Sequence, residues 1–377
     1  MPPITAIILI ALVFFVGIPG VGAFSVRSRW RRFRRRVEEA SLRPLLTYRV
    51  IRQFDEEGFP RATYRFFGAL EAIQSDQALW LRGGDVTVAA DMSNSEIYVL
   101  PRDTGDLPDE PPVRTTWTRL GSLTEGAKVF VAGQIRTEGA HAVMCGDVSD
   151  PLLVVLYDGP ERDLLRRCIW SGRQLNEYWN LLTPGALAGG TLALITIAYV
   201  LLRSPAGRLP AIASLTLASV PLLPLLPPGV GLFFIYRWSW RRGRVLRAHR
   251  DILRVPLRHL KETDDSGVLP DGEPYELRYL TPDDAKTLEE IGGQMIRPPI
   301  ALDTSLHAAF GYPGATGLET PPDPMTEIAI IPGNPTELSL RCQRQARAFE
   351  LASAAILGAA LLINLAGAFV VLQYVIR

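Results

Sequence analysis

The chain has 377 residues, of which 47% are hydrophobic and 21% charged, and its formal net charge is +1. A mean hydropathy of +0.13 is high for a soluble protein of this size, and the excess lies in a few apolar blocks. Three cysteines without a CxxC pair, together with four scattered histidines, exclude a disulfide framework and a zinc site. We therefore expect no metal and no cofactor.

The first apolar segment, residues 4–24, is followed directly by a dense arginine cluster. The cluster comprises Arg27, Arg29, Arg31, Arg32, Arg34, Arg35 and Arg36. Because arginines stay on the cytoplasmic side during insertion, the segment is predicted to cross a membrane with its N-terminus outside. A cleaved signal peptide would carry its positive charge before the apolar core, whereas here the charge follows the core.

Three further segments have the roughly 20 apolar residues that a membrane span needs. They are residues 181–202, 209–236 and 351–376. All four segments have arginines on one flank, and the opposite flanks hold only Arg203, Arg208 and Arg377. The positive-inside rule then predicts one topology, with both termini outside and with residues 25–180 and 237–350 inside.

A second arginine cluster follows the third span. It includes Arg237, Arg241, Arg242 and Arg244. Guanidinium groups are permanently charged and weakly hydrated, which suits lipid phosphates. Both clusters are therefore predicted to contact anionic lipid headgroups, at about 1 kcal/mol for each residue near the surface.

The third span contains Pro221, Pro224, Pro227 and Pro228, which remove backbone donors and break the helix. Such a break can form a gate or a substrate site. It can also be a re-entrant turn that other parts of the protein cover. The second interpretation is favoured, because broken helices at ion sites usually have polar company.

Few side chains offer specific packing between the spans. Asn364 in the fourth span is predicted to hydrogen-bond to another helix, a contact worth on the order of 1 kcal/mol. Gly185 and Gly189 form a GxxxG pair in the second span, which permits close helix approach. The four spans contain no Asp, Glu, Lys, Arg or His, so an ion or proton pathway lacks its usual signature.

Residues 60–157 contain short β-prone runs separated by turn residues. The runs are 64–73, 78–81, 86–90, 96–100, 128–135 and 152–157. Five or six strands in this length predict a small barrel, and residues 123–133 form the turn and alternating strand typical of OB-like barrels. Residues 60–160 hold 14 acidic against 8 basic residues, so no nucleic-acid partner is expected.

Residues 262–340 hold 15 acidic against 3 basic residues and are rich in Pro and Gly. A hairpin turn at 270–273 and a short helix capped by Thr281 are predicted, with little periodicity elsewhere. Residues 237–261 form a basic helix with a rough apolar face. It is either an amphipathic helix on the inner surface or a cytoplasmic extension of the third span.

The order span, compact β domain, span, with the stretch LTEGAKVFVAG at 123–133, resembles the GIDE domain of membrane-anchored RING ubiquitin ligases. It is also similar to NfeD-type membrane proteins, which carry OB domains and accompany membrane proteases. The resemblance covers about residues 1–200. A RING would need a Cys/His array after the second span, and the chain has only His249, His259, His307 and Cys342 there, so ligase activity is not carried over.

The predicted fold class is an α+β membrane protein with four transmembrane helices, a cytoplasmic OB-like β-barrel and a second, acidic and irregular α/β cytoplasmic region. The predicted domains are transmembrane 1 (4–24), a basic juxtamembrane linker (25–59), the OB-like domain (60–160), transmembrane 2 (181–202), Pro-rich transmembrane 3 (209–236), a basic juxtamembrane helix (237–261), the acidic region (262–348) and transmembrane 4 (351–376). The expected location is the bacterial inner (plasma) membrane.

The expected function is a non-enzymatic scaffold or accessory subunit of a membrane complex. Its barrel would bind another protein or a second copy of the chain, and anionic lipids would be further partners. A small-solute transporter or channel subunit is the alternative, and a GIDE-like, ligase-related protein without its catalytic domain is the second alternative. The sequence contains no GxSxG, HExxH, paired intramembrane Asp or phosphate loop.

Overall fold

The computed structural model describes residues 3–57, 63–75, 77–104, 110–120, 123–138, 141–173, 175–260, 265–302, 305–314, 317–321, 323–326 and 328–376. Arg377, named above, and the last residue of the predicted basic helix 237–261 lie outside these ranges. The helices are α1 Pro3–Leu12, α2 Ile18–Ser41, α3 Tyr48–Glu57, α4 Leu164–Trp170, α5 Thr183–Leu201, α6 Arg208–Ala218, α7 Gly229–Arg254, α8 Pro282–Glu290 and α9 Pro335–Val375. A π-helical turn, Val13–Gly17, joins α1 to α2, and 3₁₀ turns cover Trp117–Arg119, Glu161–Asp163, Pro205–Gly207, Val220–Leu225 and Pro256–His259.

The strands follow the same order. They are β1 Thr63–Ser75, β2 Ala78–Gly83, β3 Val86–Asp91, β4 Ser95–Val99, β5 Val113–Thr115, β6 Lys128–Glu138, β7 His141–Cys145, β8 Leu152–Tyr157, β9 Ser266–Val268, β10 Pro274–Leu280, β11 Gln294–Met295, β12 His307–Pro313, β13 Leu318–Glu319 and β14 Ala329–Pro332. The chain divides into two compact units. Unit 1 is Met1–Arg31, Asn176–Val245 and Arg344–Arg377, and unit 2 is Arg32–Leu175 and Leu246–Gln343.

Unit 1 is helical. Three helical runs of the described residues are long and apolar enough to cross a membrane: Pro3–Ser41, Thr183–Leu201 and Pro335–Val375. Inward side chains of the first two runs pack with α6 into a cluster that includes Ile7, Phe15, Leu194 and Ala218. Large apolar side chains such as Leu192 and Leu362 remain exposed on their other faces, which is the pattern of helices that meet lipid.

The predicted third span, 209–236, is not one helix. Helix α6 has only 11 residues and ends at Ala218, the 3₁₀ turn Val220–Leu225 follows, and α7 begins at Gly229. The prolines account for the break, because they cannot donate to the carbonyl four residues earlier. The part of the chain that the structure describes therefore holds three single-helix candidates for spans, where the sequence predicts four.

Unit 2 contains a five-stranded β-barrel, so the predicted small barrel is confirmed. Its strands follow the order β1-β2-β3-β7-β6, and β6 pairs back with β1 to close the ring. Strands β3 and β7 are parallel, while the other neighbours in the ring are antiparallel. The interior is filled by alternating apolar residues such as Leu79, Leu81, Val129, Val131 and Met144.

The barrel sheet extends past the ring through β8, β4 and β5. Strand β6 supports both parts: its residues Lys128–Ala132 pair with β8, and residues 134–138 pair with β7. The six predicted runs correspond to β1, β2, β3, β4, β6 and β8. Strands β5 and β7 were not predicted from the sequence. Strand β5 has only three residues, and β7 is buried at four successive positions and so shows no period of two.

The acidic region is more regular than predicted. Strands β11-β14-β12-β10-β9 form a mixed sheet, with β13 added to β12. The predicted hairpin turn lies between β9 and β10, and Thr281 accepts a hydrogen bond from the Asp284 amide to cap α8. Ala285 and Leu288 of α8 pack on Ile330 of the sheet. The unpredicted strands β12 and β14 are short apolar runs that fail to show a period.

Within unit 2, one fully buried ion pair connects the barrel to the acidic region. The Arg65 guanidinium on β1 lies 2.5 Å from a carboxylate oxygen of Asp323, and neither side chain is more than 1% exposed. Arg65 Nε also donates to the Arg43 carbonyl at 2.6 Å. Asp323 accepts further hydrogen bonds from the Met325 amide and the Thr326 hydroxyl.

The basic juxtamembrane segments are helical. The predicted linker 25–59 is largely covered by α2 and α3. In α7 the apolar residues Leu246, Ile252 and Leu253 are at most 6% exposed. This face is buried in protein, so residues 237–254 are a helix extension rather than an amphipathic helix with a face left for lipid.

Candidate functional site at the helix ends

The arginine clusters lie on α2 and α7, directly after the apolar parts of these helices. Seven of the predicted headgroup contacts have exposed side chains, namely Arg29, Arg31, Arg32, Arg35, Arg237, Arg241 and Arg242. Arg35 also pairs with Glu39 one turn later at 2.8 Å. Such an exposed pair is worth well under about 1 kcal/mol, so it leaves Arg35 able to exchange Glu39 for another anion.

Arg36 is a correction to the predicted lipid contacts. Its guanidinium lies 2.6 Å from Glu96 and 3.2 Å from Asp150, and it also donates to the Pro151 carbonyl. The side chain is only 14% exposed. Arg36 therefore connects the C-terminal part of α2 to strand β4 and to the loop before β8, inside unit 2. The sequence does not show this, because the carboxylates lie 60 and 114 residues away.

Arg34 and Arg244 also face protein. Arg34 donates to the Ser171 carbonyl at 3.5 Å. Arg244 is 12% exposed, lies 3.4 Å from Glu177 and covers the Trp240 ring at 4.9 Å. Burial lowers the pKa of the Arg244 guanidinium, and the nearby Glu177 carboxylate opposes that shift. For Arg244 the predicted headgroup contact is replaced by a protein carboxylate.

Glu177 begins a short segment, residues 177–180, that contacts one face of the first helical run. Its carboxylate lies 3.8 Å from Arg27, the innermost arginine of the first cluster. The Tyr178 hydroxyl donates to the Phe15 carbonyl, and the Asn180 amide donates to the Pro19 carbonyl at 3.1 Å. Phe15 and Pro19 lie on successive turns of the helical run Pro3–Ser41, and Arg27 lies about two turns after Pro19.

Pro19 and Gly22 explain why residues 177–180 can pack against the first helical run. A proline at position 19 has no N–H for the carbonyl of Phe15 four residues earlier, and the Tyr178 hydroxyl supplies a donor instead. A Cβ on Gly22 would lie 2.1 Å from the Asn180 side chain, so only glycine leaves room. The sequence contained a signal for this site, because a proline inside an apolar helix requires a donor from elsewhere.

The broken third segment has a partner in Asn364. Its side-chain amide donates to the carbonyls of Leu223 at 2.7 Å and Leu226 at 3.0 Å, and the residue is 6% exposed. Leu223 would bond to position 227 in a regular helix, but Pro227 has no N–H. Asn364 therefore supplies a donor where Pro221, Pro224, Pro227 and Pro228 interrupt the helix, and the break is held by protein.

The GxxxG pair is not where α5 comes closest to the first helical run. A Cβ on Gly185 would meet nothing within 4 Å among the described residues, and one on Gly189 would meet Phe14 at an ordinary 3.4 Å. The tight position is Gly190, where a Cβ would lie 2.6 Å from Phe14 and 2.8 Å from Phe15. The close helix contact predicted for Gly185 is therefore found at Gly190.

The described part of the chain holds no group of three or more His, Cys, Asp or Glu side chains that could bind a metal ion. The chain matches no protein-family model, no curated protein and no solved structure.

Proposed function

We propose that the chain is an integral membrane scaffold or accessory subunit, and that an edge of its barrel sheet binds a segment of another protein. The proposal includes four membrane spans, with both termini outside and with the barrel and the acidic region in the cytoplasm of a bacterial inner membrane. Arginine placement supports it, since clusters on α2 and α7 would then face the same side.

The exposed edge strand β5 is the observation that carries the binding role. Among the described residues β5 pairs only with β4, through Val113–Val99, Arg114–Tyr98 and Thr115–Ile97. Val113 is 62% exposed. A strand with one unpaired edge offers backbone donors and acceptors to an added strand, and its side chains supply selectivity.

Hydrogen bonds and an ion pair fix β5 and the residues that precede it. The Glu110 carbonyl accepts hydrogen bonds from the Ser171 hydroxyl at 2.6 Å and from the Gly172 amide at 3.1 Å. Arg114 is fixed from the other side by Glu96 at 3.0 Å. An edge ordered before binding loses less conformational entropy when a partner strand is added.

The barrel also fits the OB-like assignment. A five-stranded Greek-key barrel with parallel third and last strands is the arrangement expected of that class. Such barrels often bind nucleic acid, but here the cations near β1–β3 face carboxylates. Arg82 lies 3.7 Å from Glu71, and Arg136 lies 3.0 Å from Asp91. Paired charges favour a protein partner over a phosphate backbone.

The exposed arginines give the scaffold a second attachment. Seven guanidinium groups at the helix ends would attract anionic headgroups, at about 1 kcal/mol each near the surface. We expect purified protein to bind vesicles that contain anionic phospholipid more strongly than neutral vesicles. High salt should reduce the difference, because exposed charges are screened.

Purification of the full chain in mild detergent tests the binding role. Val113→Lys places a charge on the edge strand and should lower the recovery of a co-purifying protein about tenfold, equivalent to about 1.4 kcal/mol. Val148→Lys is the control, because Val148 is 92% exposed and lies outside the strands. Equal recovery of the co-purifying protein with both variants would rule out β5 as the binding edge.

The rival function, a small-solute transporter or channel subunit, would use the broken third segment and Asn364. The hydrogen bonds from Asn364 to Leu223 and Leu226 favour a structural joint instead. Solute flux into vesicles distinguishes the two. Loss of flux in Pro224→Ala or Asn364→Leu protein that still folds would support the transporter, and unchanged flux would count against it.

A further inference from the structure

An ion-pair network in unit 2 ends at the exposed edge strand β5. Arg36 lies 2.6 Å from Glu96 and 3.2 Å from Asp150, Arg43 lies 2.9 Å from Asp150, and Arg114 of β5 lies 3.0 Å from Glu96. Three arginines thus share two carboxylates. The surplus cation is accessible at Arg114, whose side chain is 54% exposed, whereas Arg36 and Arg43 are at most 20% exposed.

We propose, on the basis of the β5-binding function above, that the segment bound at β5 is an extended strand that places a carboxylate against Arg114. The segment carries Asp or Glu at the position beside Arg114 and apolar, β-branched residues at the two flanking positions. Its chemistry is therefore that of an alternating apolar and polar strand with an acidic residue at its centre.

The alternation of side chains along β5 sets this pattern. Arg114 pairs with Tyr98, so it lies on the same face of the sheet as Tyr98 and Glu96. Val113 pairs with Val99 on the opposite face. Val113 is 62% exposed and Val99 is half-buried, so an apolar residue added beside Val113 would cover apolar surface. The neighbouring residue of the added strand would then lie beside a cation.

Arg114 can bind a second carboxylate without leaving Glu96. Its Nη2 donates to Glu96 Oε1 at 3.0 Å, and a guanidinium carries five N–H donors in all. Glu96 is matched from the other side as well, because Arg36 lies 2.6 Å from its second oxygen. Opposite charges on neighbouring strands stabilise a sheet, so a carboxylate beside Arg114 is favoured over a neutral or basic side chain.

Glu110, an exposed acid before β5, does not cancel this preference. It lies four positions before Arg114, on the order of 13 Å along an extended chain. At physiological salt, exposed charges at such a separation are largely screened from each other. A carboxylate on the added strand would therefore respond mainly to Arg114.

A second copy of the chain fits β5 less well than an acidic strand. Two β5 strands that pair antiparallel about a twofold axis at their middle residue would bring two Arg114 side chains opposite each other. Like charges directly opposite destabilise a sheet. The same surplus cation that favours an acidic segment therefore disfavours this self-pairing.

Fluorescence polarisation of labelled peptides with the full chain in detergent tests the charge preference. Three seven-residue peptides have Val at every odd position and Thr at the second and sixth, and they differ only at the central residue, which is Glu, Gln or Lys. We expect the Glu peptide to bind about fivefold more tightly than the Gln peptide, and the Lys peptide to bind least tightly. High salt should reduce the difference between the Glu and Gln peptides.

Variants locate the preference. Arg114→Gln should make the Glu and Gln peptides bind equally. Arg119→Gln is the matched control, because it removes an exposed arginine outside the strand and should keep the preference for Glu. Val113→Lys should weaken the neutral Gln peptide, because the apolar contact is lost.

Three outcomes would overturn the acidic-strand assignment. Equal binding of the Glu and Gln peptides by the wild type, with weaker binding of both by Val113→Lys, would remove the charge preference and leave β5 as the binding edge. A wild-type dimer that Val113→Lys dissociates would assign the edge to a second copy. No saturable binding of any peptide up to about 1 mM would refute both this assignment and the β5 function.

Discussion

At the residue scale, the charged side chains that connect separate parts of unit 2 are buried ones. Arg36, Arg65 and Arg167 are at most 14% exposed and each meets carboxylates or carbonyls from distant parts of the chain. From sequence alone they cannot be told apart from the exposed arginines. Composition reports the number of charges, whereas burial of a charge depends on its partner, and Asp323 lies more than 200 residues from Arg65 along the chain.

The Arg65–Asp323 pair leads to a stability prediction. Arg65→Met would leave a buried carboxylate without its counter-charge, which costs about 3–5 kcal/mol of unfolding free energy. The double variant Arg65→Met/Asp323→Leu should recover much of that loss, because both charges are gone. Urea unfolding followed by tryptophan fluorescence measures the difference. Arg136→Met, which removes an exposed pair with Asp91, should cost less than about 1 kcal/mol.

His259 leads to a pH prediction. Burial lowers its pKa from 6.5 to about 4, the Arg65 charge adds to the lowering, and the Asp323 carboxylate opposes it. Between these two pH values the unfolded chain takes up a proton that the folded chain does not. The unfolding free energy should therefore fall as the pH drops from 6.5 to 4, by about 3 kcal/mol from this residue.

A variant of this histidine isolates that contribution. Compared with the wild type, His259→Asn should flatten the pH dependence of unfolding between pH 6.5 and 4. An unchanged slope in His259→Asn protein would mean that other groups carry the pH dependence.

At the element scale, the sequence predicted the barrel well because its strands alternate. Leu79, Leu81, Val129 and Val131 recur at every second position and fill the barrel, although the intervening Phe130 is also buried. Strands β12 and β14 are buried on both faces and show no period. The contacts of Tyr178 with Phe15 and of Asn180 with Pro19 link positions more than 160 residues apart, which periodicity cannot reveal.

The glycines of α5 give a prediction for helix packing. Gly190→Ala would place a methyl group 2.6 Å from Phe14, and overpacking of this kind costs about 1–3 kcal/mol. Gly185→Ala should be neutral or should stabilise by up to about 1 kcal/mol, because alanine is the better helix former and the space is open. Thermal unfolding in detergent measures both. A larger loss at Gly185 would restore the GxxxG pair as the packing motif.

At the scale of the whole molecule, the number of crossings decides the topology. Three helical runs have the length and composition of spans, and α6 with its 3₁₀ turn and α7 cover the remaining apolar segment. If that segment does not cross, the arginines of α2 and α7 face opposite sides of the membrane. The positive-inside rule disfavours such an arrangement, so we expect a broken but complete crossing.

Reporter fusions test the crossing number. A reporter that works only outside the membrane should be silent at residues 150 and 300 and active at 205 and 377. Activity at 300 together with silence at 377 would indicate three crossings. Activity at 150 would reverse the whole orientation. The arginine flanks predicted sidedness, whereas the prolines at 221–228 made the path of the third segment unpredictable from hydropathy.

The hydrogen bond from Tyr178 to Phe15 also has a consequence for biosynthesis. The two residues are 163 positions apart, so the donor leaves the ribosome about 8–30 s after the acceptor at about 5–20 residues per second. During that interval the first helix has Pro19 but neither Tyr178 nor Asn180. A nascent chain stalled before residue 178 should therefore be extracted from the membrane more easily than one released after it.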